Sequence, residues 1–162
     1  MKYLHAIPAI AAIAVLGGCF ADYRTLPPEQ QHVQQVHDVD LPKDRIYLAA
    51  QTWFAQNLGK SKEALQIQDK DAGLLVGWII IPDAIKDGAG LTSFPLKISI
   101  KIEAKDKKYR ATYEDYRLSS AGVADGRLVL VGREHEEAKA AALKLDTAIL
   151  AAIKGGAAGK DF

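Results

Sequence analysis

Cys19 is the only cysteine of this 162-residue chain, and its surroundings indicate chemistry more clearly than those of any other side chain. A short basic start, Met1-Lys2, precedes an apolar run from Leu4 to Leu16, and two glycines separate this run from the thiol. A charged start followed by an apolar core is typical of an export signal. Small residues before the cysteine allow a protease at the membrane surface to approach the backbone closely. The pattern therefore predicts a targeting segment that ends at the glycine pair before Cys19.

The stretch Leu16-Gly17-Gly18-Cys19 resembles the lipobox of bacterial lipoproteins, in which a branched apolar residue and two small residues precede a cysteine. The resemblance implies diacylglycerol transfer to the Cys19 thiol, cleavage after Gly18 and acylation, for example with palmitate, of the new amino terminus. A transmembrane helix needs about 20 apolar residues, whereas this run is shorter and contains Pro8. A plain secretory signal is the remaining alternative, but it needs no cysteine at the cleavage site.

Four parts are predicted along the chain. They are a signal peptide at 1–18, the lipidated cysteine with a flexible tether at 19–31, a single domain at 32–156 and a flexible tail at 157–162. Residue 20 is Phe rather than Asp, and resemblance to enterobacterial sorting rules then implies delivery to the outer membrane, facing the periplasm. Without its signal the chain has equal numbers of acidic and basic residues. This balance argues against nucleic-acid binding, which needs positive charge, and leaves membrane attachment to the acyl chains.

The other reactive side chains form no recognisable catalytic or metal-binding pattern. His32 and His37 have no carboxylate or thiol cluster beside them, so exposed tether residues are predicted rather than a metal pair. His135 lacks the second histidine that zinc-protease helices carry four residues further on, since position 139 is Lys, and a solvated first helical turn is favoured. No serine has a Gly-x-Ser-x-Gly setting, and no glycine-rich stretch matches a phosphate-binding loop. We therefore predict no catalysis, no cofactor and no metal ion.

Hydrophobic periodicity predicts the elements that position these residues. Strands are predicted at 32–39, 65–68, 74–81, 96–102, 109–118 and 128–131, helices at 42–58 and 133–154, and loops at 83–93 and 119–126. Leu65 and Ile67 are expected on one face of their strand, and a bulge is expected near Asp115. Two amphipathic helices packed on one face of an antiparallel sheet define an α+β fold.

The strand predicted at 74–81 is apolar on both faces, which is typical of a strand covered on both sides. Two helices cover only one side, so the open side must be closed by the 83–93 loop, the tether, a second copy of the chain or a bound partner. Val76, Trp78 and Ile80 are the predicted partner-facing apolar patch. Trp78, like Trp53, is expected to be a core residue rather than a platform for a ligand.

Three stretches carry a resemblance to a known family. They are Ala50-Gln51-Thr52-Trp53-Phe54, the turn Asp69 to Gly73 before a strand containing Gly77, and Lys108-Tyr109-Arg110. Over residues 33–118 the chain resembles a domain-of-unknown-function family of bacterial envelope proteins with a fold like that of the TATA-binding protein. The resemblance implies a TBP-like order of strand, helix, several strands and helix. It transfers no catalytic residue, and the name of the fold does not imply DNA binding.

These observations predict a lipid-anchored periplasmic binding or adaptor module of the bacterial cell envelope. Its expected partners are the membrane, through Cys19, and an envelope protein or a second copy of the chain. The alternative is a small envelope hydrolase or lipid-handling protein, and a third possibility is an accessory domain of a larger envelope complex. A polar cluster in a deep pocket would favour a hydrolase, whereas a flat apolar patch would favour a binding module.

Overall fold

The computed structural model describes residues 30–57, 65–86, 89–120, 123–129 and 132–155, so the predicted signal peptide, Cys19, most of the tether and the tail lie outside the described residues. The described elements are β1 (Val33–Asp38), α1 (Lys43–Asn57), β2 (Leu65–Asp69), β3 (Leu74–Lys86), β4 (Ser93–Lys105), β5 (Lys108–Ser120), β6 (Val123–Leu128) and α2 (Gly132–Gly155). Neither of these two helices combines the length and the apolar character needed to cross a membrane.

The strands form one antiparallel sheet in the order β1-β5-β4-β3-β2. β1 pairs with residues 108–113 of β5, and β6 pairs with residues 117–120 of the same strand, so both flank β5 on the side away from β4. β4 and β5 form the hairpin that their alternating residues predict, with Lys107 at the turn in the left-handed region (φ 64°). The predicted α+β architecture is confirmed.

The hydrophobic core lies between the sheet and the two helices. The buried side chains are Leu96, Ile98, Ile100 and Ile102 from β4, Ile46, Ala50, Trp53 and Phe54 from α1, and Ala138, Ala142, Ile149 and Ile153 from α2. Ile46, Ala50 and Trp53 are four and three residues apart, and the four residues of α2 are four, seven and four apart, as expected for one apolar face of each helix. The helical stripes, the alternation of β4 and the core position of Trp53 are therefore confirmed.

The turn between β2 and β3 depends on Gly73, which has a φ of 69°. Its carbonyl oxygen accepts a hydrogen bond from the Ala104 amide at 2.8 Å, which joins the turn to the end of β4. A side chain at position 73 would overlap the carbonyl oxygen of Ala104. Gly73 is therefore required both by the backbone conformation and by this close approach.

The loop predicted at 83–93 is wrong at its ends, because β3 extends to Lys86 and β4 begins at Ser93, while residues 89–92 belong to neither strand. β3 continues to Lys86, and Ile85 lies opposite Phe94 of β4. An irregularity after Ile81 absorbs extra residues, with Asp83 at a φ of 53°, and returns Ile85 to the core. The last residue of β3 is joined to α2, because the Lys86 amide donates a hydrogen bond to the Glu137 carboxylate at 3.0 Å.

The bulge predicted near Asp115 is confirmed, but the chain that follows it differs from the prediction. Asp115 has a φ of 52°, and the pairing with β4 shifts register at this point. The shift keeps Tyr116 and Leu118 on the core side, where both are buried. β5 then runs to Ser120 and β6 spans Val123–Leu128, so most of the loop predicted at 119–126 is strand; the strand predicted at 128–131 is described only at residues 128 and 129, and β6 ends at Leu128. The polar sequence of β6 has no alternation from which a strand could be predicted.

Candidate functional site

The sheet face away from the helices carries the three residues of the predicted patch. Val76, Trp78 and Ile80 alternate along β3 with buried residues of the core face, so they project to the open face. Val76 and Trp78 are half-buried there, and Ile80 is 57% exposed. The expectation that Trp78 is a core residue is wrong, because the alternation along β3 places its side chain on the face of the sheet that points away from the helices.

Ile67 of β2 extends this patch, and the sequence pattern did not identify it. Leu65 lies opposite Gly77, whereas Ile67 lies opposite Val76, and the pairing shifts register between them. Leu65 consequently packs against the core, and Ile67 turns to the open face with 45% exposure. The expected shared face of Leu65 and Ile67 is therefore wrong. We call Ile67, Val76, Trp78 and Ile80 the apolar stripe.

A row of polar residues on β4 borders the apolar stripe. Lys97 lies opposite Ile80, Ser99 opposite Trp78, Lys101 opposite Val76 and Glu103 opposite Leu74. The Lys97 ammonium lies 4.5 Å from the centroid of the Trp78 ring, which is a cation–π contact. The apolar stripe therefore has one cationic neighbour held directly over its aromatic residue.

Towards β5 and β1 the open face carries hydrogen-bonded polar side chains together with one exposed apolar residue, Val36. Arg110 donates two hydrogen bonds to the Glu103 carboxylate, at 2.7 and 2.8 Å. The hydrogen bonds from Arg110 lower the pKa of Glu103, and partial burial of the carboxylate acts in the opposite direction but is the smaller effect. Gln34 of β1 donates to the Thr112 hydroxyl at 3.3 Å. Val36 of β1 lies opposite Arg110 and is 60% exposed on the same face, so exposed apolar surface is found on β1 as well as on β2 and β3.

A buried polar cluster between β1, β5 and α2 is the second candidate site, and it was missed in the sequence. Asp146 of α2 accepts a hydrogen bond from the Tyr113 hydroxyl at 3.0 Å, and its other carboxylate oxygen lies 2.8 Å from His37 Nε2. Asp146 is buried, and the His37 side chain is only 19% exposed. The prediction of His37 as an exposed tether residue is wrong, because β1 turns its ring towards α2. Burial, together with the Asp146 charge, raises the pKa of Tyr113.

Tyr109 lies beside this cluster and has a different environment. Its ring centroid is 5.0 Å from that of His37, and its hydroxyl is buried without a hydrogen-bond partner in the described part of the chain. An aspartate that orients a histidine supplies two of the three members of a hydrolytic triad. No serine or threonine hydroxyl of the described residues is hydrogen-bonded to His37, so the third member of a triad is not in place among them. The contacts of the cluster join β1 and β5 to α2.

His135, in the first turns of α2, is also placed differently from the prediction. It is 1% exposed, its Nε2 lies 3.0 Å from the Gln30 carbonyl oxygen, and its ring meets Tyr116 edge to face at 5.7 Å. The predicted solvated turn is wrong at this residue, because the chain entering β1 covers it. No three His, Cys, Asp or Glu side chains within the described ranges are arranged to hold a metal ion.

Two grooves lie on the helix side of the molecule. One of about 370 Å³ runs between α1 and α2 and is lined by Arg45 and Trp53 among others. Another of about 450 Å³ lies between the irregular part of β3 and α2, beside Asp83 and Lys144. Neither groove is lined by His37 or Asp146. The polar cluster and the grooves are therefore separate features.

The order of elements, the single antiparallel sheet and the two helices on one face define an α+β domain of the TBP-like type. Residues 34–119, more than half of the chain, match the family described as a domain of unknown function (DUF4468) with TBP-like fold, and the chain belongs to that family. The predicted family resemblance is confirmed.

Two crystal structures show the same fold. A TBP-like protein from Parabacteroides distasonis superposes with a TM-score of 0.53 at 13% identity, over 80% of this chain and 94% of that one. A DUF4468 family protein from Bacteroides ovatus superposes with a TM-score of 0.53 at 10% identity, over 82% of this chain and 89% of that one. No curated protein shows significant similarity to the chain. Identities this low establish the fold alone.

Proposed function

We propose that this protein is a lipid-anchored binding module of the bacterial cell envelope that holds an envelope protein on the open face of its sheet. The observation that carries the proposal is the apolar stripe, where Ile67 is 45% and Ile80 57% exposed on the face opposite the helices. Contiguous apolar surface in contact with water favours association with a partner that covers it. The hydrogen-bonded pair of Glu103 and Arg110 separates this stripe from Val36, which is 60% exposed on β1 of the same face.

The sequence before the domain supports the anchor. Acylation of Cys19 would place the protein on the outer membrane facing the periplasm, and the ten residues between Cys19 and Gln30 would reach roughly 35 Å when extended. That length allows the open face to meet a protein standing beside the anchor. Metabolic labelling with a palmitate analogue tests the anchor directly, because Cys19→Ser must abolish the label. Label retained in Cys19→Ser would contradict the lipid anchor.

We propose no catalytic activity for the domain. The His37 ring is bonded to a buried carboxylate, Asp146, and neither helix-side groove is lined by these residues. A binding role uses the exposed stripe without requiring a reactive group.

Photo-crosslinking in the intact envelope tests the binding face. A benzophenone amino acid is placed at Ile67 in the full-length lipoprotein and, as the matched control, at Leu143 of α2, which is also 45% exposed. We expect one discrete protein adduct from position 67 and none of the same mass from position 143. Mass spectrometry then identifies the partner.

Charged substitutions decide whether the apolar stripe itself binds. Ile80→Asp should abolish the adduct, whereas Leu143→Asp should leave it unchanged. Both variants must retain the wild-type circular dichroism spectrum and thermal midpoint to within a few degrees. An adduct that persists in folded Ile80→Asp, or the absence of any adduct from position 67, would overturn the proposed function.

A further inference from the structure

The two ends of the apolar stripe differ in charge. At one end Lys97 lies opposite Ile80. At the other end Leu74 lies opposite Glu103 of β4 and Asp69 of β2. The sheet therefore presents a cation at the Ile80 end and carboxylates at the Leu74 end.

The Glu103 carboxylate is already compensated within the protein. It is bonded to Arg110 at 2.7 Å and lies 3.5 Å from Lys101. Arg117, which lies opposite Lys97 on β5, is likewise bonded to Asp115 at 2.9 Å. The side chains of Arg110, Lys101 and Arg117 therefore form ion pairs with carboxylates of the same sheet.

Lys97 differs from these neighbours. No carboxylate of the described residues lies within ion-pair distance of its ammonium group, which is held over the Trp78 ring. The residue is half-buried, so part of its hydration is already lost. A partner covering Trp78 would remove more water from this ammonium, and burial of an unpaired charge is costly.

We propose that the partner segment on the apolar stripe is acidic: it seats apolar side chains against Val76, Trp78 and Ile80 and a carboxylate against Lys97. This inference rests on the proposed function. A second copy of the chain is the competing occupant, because its open face also carries the carboxylates of Asp69 and Glu114, and the mass of the adduct distinguishes it from an envelope protein. The Lys97 ammonium is pre-positioned by Trp78, which favours a carboxylate at one defined place over general attraction to a negatively charged surface.

The crosslinking residue at position 67 leaves position 97 free to be varied, so the same adduct reports on the charge of Lys97. Adduct yield from position 67 is measured in isolated envelopes for the wild type, Lys97→Met, Lys97→Glu and, as the matched control, Lys144→Glu on the exposed side of α2. Lys97→Met keeps the alkyl chain over Trp78 and removes only the charge. We expect a loss of about threefold for Lys97→Met and of more than tenfold for Lys97→Glu, because a like charge then faces the partner carboxylate.

Salt provides a second readout. Raising the salt concentration from about 50 to 500 mM shortens the screening length severalfold, and it should lower the adduct yield of the wild type but not that of Lys97→Met. Yields that are insensitive to both salt and Lys97→Glu would overturn the acidic partner while leaving the binding face intact. A homodimer adduct or a lipid adduct would also overturn it, and no adduct in the wild type would overturn both proposals.

Discussion

His37 of β1 and Asp146 of α2 are 109 positions apart in the sequence, and His37 Nε2 lies 2.8 Å from the Asp146 carboxylate. The second carboxylate oxygen accepts the hydrogen bond of the Tyr113 hydroxyl. One buried carboxylate thus connects the first strand and a central strand to the last helix. The remaining contacts of α2 with the core are largely apolar, and apolar packing is non-directional. The cluster therefore provides a directional contact that sets where α2 lies on the sheet.

Replacing the carboxylate should be costly. We expect Asp146→Ala to lower the free energy of unfolding by about 2–3 kcal/mol, because it leaves the Tyr113 hydroxyl buried without an acceptor. Urea denaturation monitored by circular dichroism measures the change. Thr147→Ala is the control, since its hydroxyl is exposed and bonds only to the Leu143 carbonyl of its own helix. A similar loss in both variants would contradict a specific role of Asp146.

The same substitution at two tyrosines of β5 should have different effects. Tyr109→Phe removes a buried hydroxyl without a partner in the described chain, so the stability should stay the same or rise by up to about 1 kcal/mol. Tyr113→Phe leaves an oxygen of buried Asp146 without its donor and should cost about 1–3 kcal/mol. Thermal and urea unfolding of the two variants side by side measure the difference. Destabilisation by Tyr109→Phe equal to that of Tyr113→Phe would show that the Tyr109 hydroxyl has a partner.

Alanine substitutions at two glycines in the left-handed region distinguish the effect of backbone strain from that of steric overlap. Gly73 and Gly90 have φ values of 69° and 71°. A Cβ atom at Gly90 meets nothing within 4 Å, whereas one at Gly73 overlaps the Ala104 carbonyl oxygen. We expect a loss of about 1 kcal/mol for Gly90→Ala from strain alone and at least about 3 kcal/mol for Gly73→Ala. Equal losses in denaturant titrations would mean that the turn relaxes away from β4.

Alkaline pH should unfold the domain cooperatively. Burial raises the pKa of Tyr109, Tyr113 and Tyr116 above the ordinary value of 10.0. Because these pKa values are higher in the folded state, the stabilisation is complete below pH 10 and is lost as the pH rises above it. Each tyrosine ionising only in the unfolded chain then lowers stability by about 1.4 kcal/mol per pH unit.

Tyrosinate absorbance and circular dichroism, followed together against pH, test this expectation. Ionisation of the three buried tyrosines should coincide with the loss of the circular dichroism signal. Complete ionisation of all tyrosines near pH 10 in a protein with an intact spectrum would contradict the burial of these hydroxyls.

The sequence by itself determined the elements whose burial is regular. Strict alternation predicted the pairing of β4 with β5, and helical spacing predicted the buried faces of α1 and α2, because each pattern records which side of a local element faces the core. The apolar residues on both faces of β3 likewise indicated Val76, Trp78 and Ile80 as candidates for an apolar surface patch. These features are local, so the residue types alone carry them.

Only the tertiary structure decided the features that depend on contacts between distant segments. A register shift turns Ile67 to the open face, and the irregularity after Ile81 extends the β3–β4 hairpin. In the sequence His37 and Asp146 each resemble ordinary surface residues. The partner that compensates for the burial of each is 109 positions away, so no local pattern indicates it. A buried polar group is stabilised by the geometry of its partner, and that geometry exists only once β1, β5 and α2 have come together.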